Sequence, residues 1–432
     1  ANGLSMPPAS NCPVCGTSGD RKSANLMTSP HGMELFCNPR ARRPPAVAPD
    51  TAWAAPEAVR AVRQFHRTLP AYRPTPLVSL GSLARALGLD GIFLKDESGR
   101  FGLKAFKGLG ASYAVCAALA GRLALPPPLD FTRFQKPDVR RAIADITLVT
   151  ASDGNHGTAV AWMAAQLGCR SRIFLPAGTA ACRLAAIRST GGETLVVDGN
   201  YDDAVQQAAR EARSPGRILV QDTTWEGYET IPKNVMQGYL TLFDEAFAQL
   251  GAALVTHVFV PCGVGSLAAS LQAFLVEKFR EQRPILVVVE SAAADCYYRS
   301  MAAGARTIIP VRGPMKTRMA GLACGQPSPA AWDILRHFTD GFIRAGDDIA
   351  LEGMQRLARP HPPDPGVESG ECGAVALGCL CRLMDPANAA DRHRLGLEPA
   401  SRILLFSTEG ATDPESYRQA VQRRPVGPSA ES

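Results

Sequence analysis

Short apolar runs recur along the chain: Ile92-Phe93-Leu94, Thr147-Leu148-Val149, Arg172-Ile173-Phe174-Leu175, Thr194-Leu195-Val196-Val197, Ile218-Leu219-Val220, Val255 to Val260, Ile285 to Val289 and Ile403 to Phe406. Most are rich in β-branched residues and do not alternate with polar ones. That pattern predicts strands buried on both faces of a parallel sheet. Ala- and Leu-rich stretches at 104–120, 156–168, 180–190, 201–213, 230–250 and 266–282 separate many of the runs and predict helices. An earlier helix is predicted from Pro56, through Val59, Val62, Phe65 and Leu69. Strands alternating with helices predict a doubly wound α/β fold. Pro-rich segments at 125–137 and 359–366 break the pattern as loops. Residues 1–50 are polar, Pro-rich and aperiodic, and are expected to form an extension or loosely packed arm.

Composition narrows the function classes. The 432 residues are 46% hydrophobic and 20% charged, which is the balance of a soluble globular protein of two or three domains. No apolar run approaches the ~18–20 residues that span a bilayer. The first residues lack the pattern of a secretory signal, so a cytoplasmic protein without membrane partners is expected. The net charge of +6 is scattered, and its densest cluster is Arg40, Arg42 and Arg43 among prolines. That cluster reads as a solvated linker, so no nucleic-acid partner is expected; the mild excess of cations favours small anionic ligands. Nine of the twelve cysteines sit in apolar or Gly/Ala-rich stretches and read as buried residues in a reducing compartment. Cys12 and Cys15, with His31 and Cys37, have spacing loosely compatible with tetrahedral zinc. Reduced thiols in an arm account for them better, so no metal is expected.

Several strand ends carry candidate chemistry. Lys107 follows the strand at 92–94 and stands at the start of a helix, as a solvated lysine or as an amine of burial-lowered pKa that forms a Schiff base. Ser152-Asp153-Gly154-Asn155-His156-Gly157 lies between a strand and a helix. It is either a capped turn or a cradle of N–H groups for a carboxylate or phosphate. Gly263-Val264-Gly265-Ser266-Leu267 opens a helix in the same way, as a phosphate cradle or a close-packed turn, and lacks both the Walker ending and the full dinucleotide fingerprint. Asp222 stands at a strand end, as a turn carboxylate or a ligand group. Ser407 and Thr408 end the last strand, as turn caps or as partners for a heterocycle nitrogen. One ligand uses an amine, an anion cradle, a phosphate cradle and a ring-nitrogen partner together: pyridoxal phosphate carrying an amino acid.

At these residues the sequence resembles the pyridoxal-phosphate enzymes of the tryptophan-synthase-β type, known as fold type II. Tyr72-Arg73-Pro74-Thr75-Pro76-Leu77, Ala105-Phe106-Lys107, Ser152 to Gly157 and Gly263 to Leu267 carry the likeness. A narrower set is similar to the diaminopropionate ammonia-lyase family: Lys95 to Ser98 with Arg100 to Leu103, Asp153 to Gly157, Gln221-Asp222 with Trp225 to Tyr228, Ala294-Asp295-Cys296, Met319 to Gly325, and Ser407 to Gly410. The likeness runs from about Phe65 to Tyr417. Common threonine and serine dehydratases carry a small residue where Asp153 stands.

The resemblance implies an α/β fold of two lobes with mostly parallel twisted sheets and flanking helices. It implies a large cofactor-binding domain from 46–118 and 225–432, an inserted small domain at 119–224, and an extension at 1–45. It implies a homodimer that turns 2,3-diaminopropionate into pyruvate and ammonia. Lys107, beside Phe106, would hold the cofactor. Ser152, Asp153, Gly154, Asn155 and His156 would receive the substrate carboxylate, and Asn155 the ring hydroxyl. Gly263, Val264, Gly265, Ser266 and Leu267 would hold the phosphate, and Ser407, or else Thr408, the ring nitrogen. Lys107 and Asp153 would serve opposite faces of the substrate, with Asp153 and Asp222 binding the β-ammonium. The alternatives are a dehydratase or ammonia-lyase acting on β-hydroxy amino acids of the threonine, serine, hydroxyaspartate or phenylserine type, a nicotinamide oxidoreductase built on the Gly263 turn, and a non-catalytic binding protein.

Overall fold

The computed structural model describes residues 32–43 and 48–422. Their strands, in chain order, are β1 (Met33–Cys37), β2 (Leu77–Ser79), β3 (Gly91–Asp96), β4 (Thr147–Ala151), β5 (Arg170–Pro176), β6 (Glu193–Val197), β7 (Arg217–Leu219), β8 (His257–Pro261), β9 (Ile285–Ser291), β10 (Gly341–Ala345) and β11 (Arg402–Ser407). Each of the eight apolar runs falls on one of them. The larger sheet has the order β1-β10-β9-β8-β11-β3-β2, and the smaller has β6-β5-β4-β7. All pairs in the smaller sheet are parallel. The larger sheet is parallel from β10 to β3 and antiparallel only where β1 and β2 pair at its edges. β4 and β8 are buried at every position, as strands covered on both faces must be. The fold is α/β, with helices flanking mostly parallel sheets. Among the described residues no helix is long and apolar enough to cross a membrane.

The chain departs from the sequence pattern at the sheet edges. β1 lies inside the segment expected to be an arm, and pairs with β10 from Met33↔Ala345 to Cys37↔Gly341. Glu34 on β1 forms an ion pair with Arg344 on β10, and Tyr298 and Asp295 complete the cluster, so the charge that interrupts each strand is paired across the sheet edge. The stretch at 230–250 forms two helices, Thr230–Gly238 and Leu240–Leu250, which meet at the buried Tyr239.

The C-terminal ends of the parallel strands face a common crevice, where open α/β sheets bind ligands. The segment after β3 enters that crevice through a rigid path. Phe101 and Lys104 both have left-handed φ, 52° and 57°. The Phe106 N–H donates to the Thr408 carbonyl at 3.1 Å, and the Gly410 N–H donates to the Lys104 carbonyl at 2.9 Å. The turn after β11 therefore fixes the backbone that presents Lys107.

Beneath this path lies a buried ionic cluster. Lys95 Nζ donates to Glu245 Oε2 at 2.9 Å and to the Thr75 carbonyl at 2.6 Å. Arg100 donates to Glu245 Oε2 at 2.7 Å and to Glu97 Oε2 at 2.8 Å. The Tyr72 hydroxyl donates to Glu245 Oε1 at 2.8 Å. The two sequence motifs at 72–77 and 95–100 thus meet on one carboxylate carried by the helix Leu240–Leu250. Burial pushes the Glu245 pKa up, but Arg100 and Lys95 outweigh it and hold the carboxyl at about 2.

Replacing Glu245 with Gln leaves two buried cations without their shared anion, a change that costs about 3–5 kcal/mol. Urea unfolding is expected to show that loss. The sign with pH follows from the depressed pKa. The contribution is complete above the ordinary value of 4.5 and fades as pH falls toward 2. The acid slope of stability should therefore be shallower in Glu245→Gln, and an unchanged unfolding midpoint would contradict this account.

Candidate active site

Lys107 is the first residue of the helix Lys107–Arg122, a position where its ammonium opposes the helix dipole. Its Nζ donates to Asp222 Oδ2 at 2.6 Å. Asp222 follows β7 and is 2% exposed. The Tyr201 hydroxyl lies 3.4 Å from Asp222 Oδ1, and Gln221 Nε2 donates to Tyr201 at 2.8 Å. Burial alone raises the Asp222 pKa, but the charge of Lys107 outweighs it and holds the carboxyl at about 2. Burial likewise works against the Lys107 ammonium, and Asp222 outweighs that too, so the Lys107 pKa is raised. The expected burial-lowered amine is corrected: a carboxylate from a distant strand end reverses the sign.

The loop after β4 is built around Ser152. Its wholly buried Oγ accepts from the N–H groups of Gly154 and Gly157, both at 2.8 Å. The Ser152 hydroxyl therefore shapes the turn and is not itself free to meet a ligand. Gly154 sits at φ +149°, where a side chain would be strained. Asp153 Oδ2 is buried with no hydrogen-bond partner. His156 Nε2 meets the Val220 carbonyl at 2.7 Å, so that nitrogen carries the proton. Its Nδ1 is buried without a hydrogen-bond partner, 3.9 Å from Asp222 Oδ2. Burial lowers the His156 pKa. The Asn155 amide donates to Glu409 Oε2 after β11 and links the two sheets. Burial raises the Glu409 pKa.

The glycine turn follows β8 and opens the helix Ser266–Phe279. Gly265 has φ +100°, and a Cβ there would lie 2.0 Å from Tyr297 Oη. A Cβ on Gly263 would lie 2.7 Å from the Gly321 carbonyl. Only glycine fits either position, and the result is a turn whose N–H groups lead into a helix N-terminus, the local geometry that binds phosphate.

These parts line one narrow cavity of about 60 Å³: Lys107, Asp153, Asn155, His156, Asp222, the turn Gly263 to Leu267, and Thr408. Asp153 and Tyr201 also line an outer cleft of about 680 Å³. Phe106 lies under the Lys107 amine, with Nζ 5.3 Å from its ring centroid. Ser407 is wholly buried and donates to Ser369 Oγ at 2.8 Å, and Thr408 after it is among the residues that line the cavity. Neither Tyr201 nor Glu409 stands out as a site residue in the sequence. Tyr201 has only the Asn200 cap before it as a local signal. Of the zinc candidates, Cys37 lies on β1, away from this cavity; Cys12, Cys15 and His31 lie outside the described residues. An amine, a glycine phosphate cradle and two orphaned buried polar atoms, Asp153 Oδ2 and His156 Nδ1, fit pyridoxal phosphate with a polar substrate.

Comparison with known proteins agrees with this fit. The family described as pyridoxal-phosphate dependent enzyme matches residues 68–393. A diaminopropionate ammonia-lyase of Salmonella typhimurium is 45% identical over 83% of this chain and 91% of its own. The Escherichia coli diaminopropionate ammonia lyase, solved with an aminoacrylate-PLP azomethine reaction intermediate, superposes with a TM-score of 0.82 at 39% identity, covering 90% of this chain and 97% of that one. The same E. coli enzyme solved with D-serine matches to the same extent. The chain belongs to the pyridoxal-phosphate-dependent enzymes of fold type II and, within them, to the diaminopropionate ammonia-lyase family.

Proposed function

We propose that this enzyme is a carbon–nitrogen lyase that eliminates the β-amino group of 2,3-diaminopropionate, giving pyruvate and two molecules of ammonia. The observation that carries the reading is Asp153, whose buried Oδ2 lacks a hydrogen-bond donor in the cavity that holds Lys107. A cationic leaving group supplies what that oxygen lacks, and a neutral hydroxyl supplies it less well.

Pyridoxal phosphate, when bound, supplies an electron sink for the pair left at the substrate α-carbon. Lys107 would hold it through Nζ, the turn Gly263 to Leu267 through backbone N–H groups, and Ser407, or else Thr408, would face the ring nitrogen. In the 152–156 loop, where the Ser152 and Gly154 N–H groups are already donated within the protein, the N–H groups of Asp153, Asn155 and His156 receive the substrate carboxylate. Lys107 Nζ takes the α-proton, and Asp222 suits it to keep that proton by raising its proton affinity. Asp153 holds the β-ammonium, which departs as ammonia with the carbon–nitrogen bonding pair. The released aminoacrylate hydrolyses in water to pyruvate and the second ammonia.

A second reading, elimination from β-hydroxy amino acids, is favoured by the E. coli relative solved in complex with D-serine. We also read the enzyme as a cytoplasmic homodimer. Buried, reduced Cys116, Cys262 and Cys379 support the compartment, and family membership supports the dimer. Light scattering should give twice the monomer mass of 45.9 kDa; a monomer would remove that part of the reading.

The roles of Lys107 and Asp153 separate in one pair of variants. Lys107→Ala should lose the visible absorbance of lysine-linked cofactor. Asp153→Asn should keep that absorbance and lose about 10²–10⁴-fold in kcat, the range for a displaced acid–base group. Equal loss of cofactor and turnover in Asp153→Asn would mark Asp153 as a turn residue only.

A further inference from the structure

Arg183 has no part in the chemistry described so far. It stands in the first turn of the helix Ala181–Ser189 and is 8% exposed, which is unusual for an arginine. Its Nη1 donates to the Asp153 backbone carbonyl at 3.0 Å. The same nitrogen lies 3.6 Å from Asp153 Oδ2, too far for a hydrogen bond. Its aliphatic stem covers the next residue: a Cβ on Gly154 would lie 3.0 Å from Arg183 Cδ. One side chain therefore touches the backbone of Asp153, faces its carboxylate and closes over the glycine that makes the turn.

The geometry is selective. A fork-to-fork pairing would fill the carboxylate's acceptor sites. Here the guanidinium spends its hydrogen bond on the main chain and leaves Oδ2 buried without a donor, on the wall of the substrate cavity. The charge stays close enough to attract the carboxylate. Asp153, Glu409 and Glu371 favour its charged form against burial. Arg183 comes from the smaller sheet's helices, whereas Glu371 and Glu409 come from elements of the larger one.

We propose that Arg183 is a positioning residue for the elimination: it fixes the Asp153 loop and sets the place of the Asp153 carboxylate without occupying the oxygen that meets the substrate's β-ammonium. The inference rests on the role given to Asp153 above. Gln in its place keeps a donor but loses the charge and the reach beyond Cδ. Lys keeps the charge but not the planar fork, so it restores only part of the arrangement.

A double-mutant cycle on the holoenzyme tests this. Wild type, Arg183→Gln, Asp153→Asn and the double variant are assayed for kcat and KM on 2,3-diaminopropionate, with the cofactor spectrum and melting temperature followed in each. Arg183→Gln is expected to lower kcat about 10- to 100-fold, the cost of misplacing a reacting group, with KM changed less than about 3-fold and the spectrum unchanged. In the Asp153→Asn background the same replacement should cost less than about 3-fold, because nothing is left to position. Arg183→Lys should recover part of the lost kcat. If Arg183→Gln fails to fold, Arg183→Lys carries the cycle, with about a 3- to 10-fold loss expected only when Asp153 is present. A full, additive loss in the Asp153→Asn background overturns the inference, as does wild-type kcat in Arg183→Gln. Wild-type turnover in Asp153→Asn alone overturns the reading of Asp153 first, and the role of Arg183 with it.

Discussion

Lys107 Nζ stands 2.6 Å from Asp222 Oδ2, so the amine that would hold the cofactor is placed at the seam between the two sheets. The lysine comes from the segment after β3 of the larger sheet, and the carboxylate from the end of β7 in the smaller one. Neither charge is stable alone at that depth, because burial disfavours both. Together they fix where the two sheets' C-terminal edges meet. The clasp between 104–106 and 408–410 then sets the direction from which Lys107 enters, and Asn155 with Glu409 adds a second link across the same crevice.

Two buried ionic clusters lie close together in the sequence and do different work. Around Glu245, both carboxylate oxygens have several donors, and Lys95 and Arg100 have acceptors on every side. Such a cluster is closed and positions the chain. In the cavity, Asp153 Oδ2 and His156 Nδ1 are buried without hydrogen-bond partners, each facing one group of opposite sign just beyond bonding distance. Folded proteins seldom leave such atoms unmet, and where they do a ligand group is the natural partner. The difference in satisfaction, rather than the presence of charge, separates scaffold from site.

Much of this was legible in the sequence, and the failures have physical reasons. Continuous apolar runs made β3 to β9 and β11 stand out, the edge strands β6 and β7 of the smaller sheet included. β1 and β10 did not, because Glu34 and Arg344 interrupt them with charges that are paired across the sheet edge. Lys107, Asp153 and Asp222 were visible as polar residues at strand ends. The pKa direction of Lys107 was not, because it is set by a residue 115 positions away. The side chains of Ser152, Asn155 and Ser407 also hold turns and links of the site, contacts that their motifs alone do not reveal. Arg183 and Tyr201 lie in ordinary helical sequence, and only the fold brings them to Asp153 and Asp222.

The central claim is that this cavity is built for a departing ammonium. The most direct measurement is the initial rate of the purified holoenzyme on 2,3-diaminopropionate beside serine and threonine, with keto acid and ammonia counted separately. The account predicts that diaminopropionate is the fastest substrate and yields two ammonia per pyruvate. Faster turnover of serine or threonine, with one ammonia per keto acid and little reaction of diaminopropionate, would contradict it.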